Sequence, residues 1–324
     1  MTRSDPVFDH SFQSRYLHPR FWLTWLSLGL LCLLAWLPVR WRDRLAAAFA
    51  PLVLRFSKKQ CYIARTNLEL CFPQLSPQAR EVILLDSIRV GLQCFFAFAE
   101  PSCFSAQRLL KRYAPHGWDK VKAAMEDGGR PVIFLIPHAW AIDAGGMFLA
   151  AQGYPMCTMM HSAKNALYDW FINRQRARYG GRVYERSAGL KSVIKSMGEG
   201  CHFFYLPDQD HGADASLFVP FFGVPKATLP ALPRLVKLTG ARVVPLLSCY
   251  NAGTGQYDLL FGDIMTEYPT GDLLADTARM NQEIEALLAP RPEQYMWFLK
   301  YFQTRPEGGR EGFYEAGIRR VRGR

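Results

Sequence analysis

A chain of 324 residues, 49% of them hydrophobic and 14% aromatic, has material for one catalytic domain with an extension but not for two full cores. Its 39 Lys and Arg against 28 Asp and Glu give +11, which calls for anionic partners; no zinc-finger spacing, RNP motif or basic heptad helix points to nucleic acid, so anionic lipid is the better match. The eight cysteines lie far apart without a C-x-x-C pair, which argues against a disulfide framework or zinc cluster and fits a reducing compartment.

The first element is the apolar run from Phe21 to Val39. As a helix it reaches about 28 Å, close to the hydrocarbon thickness of a bilayer. Trp22, Trp25, Trp36 and Trp41 sit near its ends as interfacial anchors would. Arg40, Arg42 and Arg44, then Arg55, Lys58 and Lys59, crowd its C-terminal side and place the large domain in the cytoplasm. A helix lying in the interface, or packed on the domain, is the alternative. A cleaved signal peptide fits less well, because no small-x-small site precedes the charges.

Residues 44–56 and 58–70 carry helical spacing, and Pro73 and Pro77 punctuate the loop before a helix over 78–99. Ser76 is placed to cap that helix, with Pro77 at its first position. Its stripe of Val82, Leu85, Ile88, Arg89, Leu92, Phe95 and Phe96 reads as packing or membrane contact. From about residue 116 helices and short apolar strands alternate: helix 118–126, strand 131–136, helix 141–152, strand 156–160, helix 165–178, strand 182–185, helix 189–198, strand 201–206, helix 228–239, strands 242–249 and 257–261, and helix 272–288. This predicts an α/β fold, a mixed sheet flanked by helices with active groups at the carboxyl ends of strands. The expected organisation is an N-terminal segment 1–43 with the membrane helix, a helical extension 44–115 and a catalytic domain 116–324.

Four groups of residues are able to carry chemistry. Pro137-His138-Ala139-Trp140-Ala141-Ile142-Asp143 follows the run Val132 to Ile136, so a histidine and a carboxylate stand where a buried strand ends. A turn entering a helix would bring Asp143 back to one imidazole nitrogen of His138 and leave the other free to deprotonate a hydroxyl. The second group, Asp208-Gln209-Asp210-His211 after Phe203-Phe204-Tyr205, suits orientation of arginines or sugar hydroxyls better than a metal, for which no further ligand set is evident. The third is a run of cations, Arg174, Arg176, Arg178, Arg182, Arg186 and Lys191, around the pair Gly180-Gly181. Single arginines at a helix end are ordinary dipole partners, but a cluster beside glycines suits bidentate phosphate recognition. In the fourth, Val219 to Thr228, an apolar turn carries one lysine, Lys226, and Thr228 stands where it would cap the next helix. That turn is either the wall of an acyl groove or a packed loop. The chain has no G-x-S-x-G elbow, phosphate loop or dinucleotide turn, so direct transfer between two substrates is the economical chemistry.

Taken in order, His138-x4-Asp143, Arg186 after Gly181, Pro207-Asp208 and Val244-Pro245 resemble the four blocks of the lysophospholipid-type glycerolipid acyltransferase superfamily. PHAWAID (137–143), RYGGRVYER (178–186), YLPDQDHG (205–212), KATLPA (226–231) and PRPEQYMWFLKYFQTRPEG (290–308) narrow the resemblance to the bacterial lipid A late (secondary) acyltransferases, particularly the myristoyl-transferring branch. It covers the chain from Asn67 through Gly308. Glycerolipid enzymes usually carry Pro-Glu-Gly in the third block, and the lauroyl branch usually has Glu where this chain has Asp143.

The resemblance implies that His138 is the general base and that Asp143 orients it. The target would be a 3-hydroxyacyl hydroxyl on a lipid A precursor such as Kdo2-(lauroyl)-lipid IVA, attacking the thioester of an acyl-acyl carrier protein at the cytoplasmic face of the inner membrane. Arg186, with Arg176 and Arg178, would hold phosphate or sugar acids, and Asp208 and Asp210 would position those cations or the glucosamine hydroxyls. Lys226 joins them as a candidate substrate contact. Neither metal nor cofactor is implied. The rival readings are an acyltransferase for another glycolipid or lysophospholipid acceptor, a thioesterase, and a membrane lipid-binding protein without catalysis.

Overall fold

The computed structural model describes residues 7–127, 129–306, 313–315 and 318. The start of the expected N-terminal segment, and Glu307-Gly308 of the last motif, lie outside them.

Two single 3-10 turns lead into the helices α1 (Trp22–Trp36), α2 (Val39–Phe56), α3 (Lys58–Cys71), α4 (Pro77–Phe96), α5 (Glu100–Cys103) and α6 (Ala106–Leu110). The remainder runs β1 (Tyr113–His116), α7 (Trp118–Glu126), β2 (Val132–Leu135), α8 (Ile142–Ala151), β3 (Met156–Met160), α9 (Ala166–Ala177), β4 (Arg182–Glu185), α10 (Lys191–Gly198), β5 (His202–Tyr205), β6 (Leu217–Phe221), β7 (Val224–Thr228), α11 (Ala231–Thr239), β8 (Arg242–Asn251), β9 (Gln256–Phe261) and α12 (Leu273–Leu288).

Seven strands form one sheet in the order β1-β9-β8-β2-β5-β3-β4. All neighbours are parallel except the β8–β9 pair, which is antiparallel, so the sheet is mixed, as expected. β2 lies between β8 and β5 and is wholly buried. That placement is why its sequence is a continuous apolar run rather than an alternating one. Ile133, Leu135, Phe203 and Val243 face a layer built from α3, α4, α10, α11 and α12. Val132, Phe134, Phe204 and Val244 face the opposite layer, built from α1, α7, α8 and α9.

The start of α4 follows its sequence: Ser76 accepts from Ala79 N at 3.1 Å with Pro77 at the first position. Its buried stripe is displaced by one residue from the expected one. Leu84, Ser87, Ile88 and Gly91 face inward, whereas Val82 and Phe95 are exposed. Gly91 explains the choice, since a Cβ there would stand 3.0 Å from the Trp140 ring.

Two helices are long and apolar enough to cross a membrane, Pro19–Trp36 and Pro77–Cys103. The second is more buried than the first, and the first divides its two sides. Leu28, Leu31 and Ala35 are buried, Asn165 donates to Thr24 Oγ1 at 2.8 Å, and Trp25 packs edge-on against Trp170. Trp22, Leu23, Leu26, Leu30, Leu33 and Trp36 face outward, all more than half exposed. The helix stops at Trp36, short of Val39, where Leu37-Pro38 breaks it.

Residues 219–228, expected as an apolar turn or loop, form most of the β6–β7 hairpin. Phe222 (φ 48°) and Gly223 (φ 76°) make its two-residue turn; positive φ at both central positions is what a tight hairpin of matching twist requires. Thr228 ends β7 and does not cap α11, which starts behind Pro230.

Candidate active site

The loop after β2 is held from three sides. Trp140 N donates to Gln294 O and Met296 N donates to His138 O, each at 2.9 Å, so residues 138–140 pair with the segment 294–296. Trp140 Nε1 donates to Ser87 Oγ at 2.9 Å, and Ser87 Oγ donates to Tyr295 O at 3.0 Å, tying α4 to the same point.

β2 and β5 are parallel, with Leu135 opposite Tyr205. His138 and Asp208 each stand three residues past that pair, so the two strand ends deliver them side by side. One Asp208 oxygen bonds the His138 Nδ1, and the other accepts from His138 N and from the Tyr295 hydroxyl, both at 2.8 Å. Asp208 has no solvent exposure. Burial alone would push its pKa up, but the charge of His138 and the three hydrogen bonds outweigh burial and hold it below its usual 3.8. A carboxylate can only accept, so Nδ1 carries a proton whether the ring is charged or neutral, and in the neutral ring Nε2 keeps its lone pair. That nitrogen accepts from the Gln209 side-chain amide at 3.0 Å.

The pairing expected between His138 and Asp143 is therefore corrected: the carboxylate on the imidazole belongs to Asp208. Asp143 lies in the first turn of α8, and a bidentate fork from Arg176 occupies it, Nε to Oδ1 at 2.8 Å and Nη2 to Oδ2 at 3.0 Å. The helix that begins at Ile142 carries Asp143 toward the last turn of α9 instead of back onto the imidazole.

His138, Asp143, Arg176, Arg186, Gln209 and His211 line one cavity of about 550 Å³. Its remaining wall is largely apolar, with Met147, Met156, Met159, Met160, Phe203 and Phe204. Arg186 opens the short turn after β4, and among the described residues it has no ion-pair partner. Cys157 also lines the cavity, but it is 1% exposed and burial raises its thiol pKa, so it offers no thiolate.

Three expected substrate contacts lie elsewhere. Arg178 caps the end of α9 and donates to Pro101 O, an exposed clamp onto α5. Asp210 accepts from Thr304 N and Thr304 Oγ1 at 2.7 Å, and from Gly212 N at 3.0 Å, which spends it on tying down the segment after Phe302. Lys226 has no exposure and lies outside the cavity lining; its amine is 3.5 Å from Thr228 Oγ1 and 5.6 Å from the centre of the Phe221 ring. Burial drives its pKa down to about 8, against the pull of Asp208 and Asp210. Conversely, the sequence motifs contain Gln209, Gln294 and Tyr295 without indicating a role for them, and Ser87 lies outside every motif. The one signal in the sequence that could have placed Asp208 and Gln209 at the imidazole is that both motifs, 137–143 and 205–212, directly follow apolar strands, which parallel pairing would set side by side.

The family model for bacterial lipid A biosynthesis acyltransferase matches residues 10–304. A lipid A biosynthesis acyltransferase of Haemophilus influenzae is 38% identical over 93% of this chain and 94% of its own length. Lipid A biosynthesis acyltransferase 1 of Shigella flexneri and the lipid A biosynthesis myristoyltransferase of Escherichia coli are each 38% identical over 94% of this chain and 92% of their own.

Proposed function

Given that the chain belongs to the bacterial lipid A biosynthesis acyltransferase family, we propose that it moves a myristoyl group from acyl-acyl carrier protein to a 3-hydroxyacyl hydroxyl of a lipid A precursor. Kdo2-(lauroyl)-lipid IVA is the acceptor class intended. The observation that carries the reading is an imidazole fixed at Nδ1 by a buried carboxylate and turned, with only the Gln209 side chain among the described residues bonded to its Nε2, toward a cavity with an apolar wall.

The acceptor hydroxyl gives its proton to His138 Nε2 as its oxygen bonds the thioester carbonyl carbon. Collapse breaks the C–S bond, and the imidazolium returns the proton to the departing thiolate. Asp208 holds the tautomer and offsets the positive charge, with Tyr295 bracing it. A thioester is already activated, so a base worth about 10²–10⁴-fold together with positioning is sufficient. Arg186 receives a phosphate of the acceptor. The Asp143–Arg176 pair forms the rim beside the base, and the methionines and phenylalanines hold the acyl chain. The myristoyl assignment is supported by Asp143 in place of Glu and by the relative named as a myristoyltransferase.

The outward face of α1 supports a helix that rests in the membrane interface, not one surrounded by lipid, since its other face packs on the domain. The basic residues that follow it support a site at the cytoplasmic face of the inner membrane, where anionic lipid attracts them. The test is transfer by the purified protein from a series of carrier-protein thioesters of differing chain length, with product masses as readout. Myristoylated lipid A precursor from the wild type, and none from His138→Ala, supports the reading; release of free acid alone, or an undiminished rate in the variant, defeats it.

A further inference from the structure

We infer that the side-chain amide of Gln209 is a catalytic group: the N–H it now gives to His138 Nε2 is released by the incoming hydroxyl and taken up by the thioester carbonyl oxygen as that oxygen becomes an anion. The inference rests on the transfer reaction proposed above.

Geometry leads to it in three steps. The amide nitrogen stands 3.0 Å from Nε2; in the neutral ring, the form able to act as base, the one proton is on Nδ1 against Asp208, so the amide is the donor and the flipped amide would set its oxygen against a lone pair. The acceptor hydroxyl must donate to that same lone pair at the same distance. The two donors are mutually exclusive, so the resting amide marks where the nucleophilic oxygen sits and must leave when it arrives.

What it moves to follows from the chemistry. Once the hydroxyl oxygen bonds the carbonyl carbon, the developing anion is two bonds from the position the amide has vacated. A turn about the side-chain bonds of Gln209 brings the N–H to it. The backbone does not need to move: Asp208 is fixed by His138 and Tyr295, Asp210 by Thr304 and Gly212. Among the described residues the amide makes no hydrogen bond except the one to His138. A donor pinned by its neighbours and otherwise uncommitted is what stabilisation of charge in a dry site requires. The balance is complete: one proton passes from hydroxyl to imidazole, a C–O bond forms, the carbonyl electrons rest on the oxygen under Gln209, and they return as the C–S bond breaks and the thiolate takes the proton.

The test compares wild type, Gln209→Ala, Gln209→Glu and His138→Ala, each as the full chain in detergent, for transfer from myristoyl-acyl carrier protein to a lipid A precursor. Loss of one such donor lowers kcat about 10²–10³-fold, so Gln209→Ala should fall by that factor with both KM values within about threefold and an unchanged melting temperature. Gln209→Glu, which keeps the shape but replaces the donor with an acceptor, should be at least as slow. A kcat within tenfold of wild type in Gln209→Ala, or a loss carried by KM, overturns the role of Gln209 while an inactive His138→Ala leaves the transfer mechanism standing. An active His138→Ala removes both.

Discussion

Exchanging Asp208 for asparagine tests the central correction. The carboxylate accepts from His138 N and Tyr295 OH on one oxygen and bonds Nδ1 with the other, all without solvent. An amide has one oxygen. If that oxygen keeps the backbone N–H and the phenol, the NH2 faces Nδ1, which must then accept; the ring proton moves to Nε2 and the base is lost. The equivalent exchange in serine-hydrolase triads lowers kcat about 10⁴-fold, a barrier increase of about 5 kcal/mol, and the same is expected here. Asp143→Asn weakens only a partly buried bidentate pair with Arg176. Loss of a charged hydrogen bond of that kind amounts to about 1–3 kcal/mol, roughly 10–100-fold. Steady-state kcat with both substrates saturating orders the two variants. If Asp143→Asn loses four orders and Asp208→Asn stays within tenfold of wild type, the working base leans on Asp143 and the pairing described here is not the reactive one.

Further outcomes follow from burial. Lys226 titrates near 8 instead of 10.5, so its charge costs the fold about 3 kcal/mol below pH 8. The penalty fades as pH rises from 8 to 10.5, because the unfolded chain then holds the proton that the folded chain has released. Lys226→Met should be more stable in urea at pH 7, by up to that amount, and should lack the wild type's gain at pH 9.5; parallel pH slopes would refute this. His202, whose Nδ1 accepts from Val132 N at 3.0 Å, is held by burial at about 4. Its contribution is complete above pH 6.5 and disappears by pH 4 as the unfolded state alone gains a proton, about 3 kcal/mol in all. His202→Asn keeps an acceptor and should flatten that limb of the stability curve, and an unaltered limb would count against the argument. Leu26→Asp with Leu30→Asp places charges on the outward face of α1; vesicle binding in flotation assays should weaken at least tenfold, about 1.4 kcal/mol or more. Undiminished flotation would mean that another surface holds the membrane.

The central strands and the capped start of α4 were legible because their signals are local: continuous apolar runs, Ser76 before Pro77, periods of two and 3.6. β1 escaped because Tyr113-Ala114-Pro115-His116 is a short edge strand containing proline. The β6–β7 hairpin escaped because Pro220 faces Pro225 across it, and two prolines at one register position look like loop. The site was half visible. His138 announced itself at a strand end, but its partner is 70 residues away in sequence, reached through the register of β2 and β5, and no spacing within one loop encodes a register between strands. Asp143 stood at a plausible distance in sequence and was spent on Arg176. Arg178 and Asp210 share the opposite lesson: a charged residue inside a functional motif often secures the backbone that presents its neighbours.

Because the His138 loop pairs with residues 294–296 and the buried Asp208 carboxylate is bridged by Tyr295, the base is assembled only after residues 294–296 have been synthesised. A nascent or clipped chain ending before residue 294 has the histidine but not its setting. Thioester hydrolysis by such a fragment, in the assay proposed for transfer, should stay at the background rate.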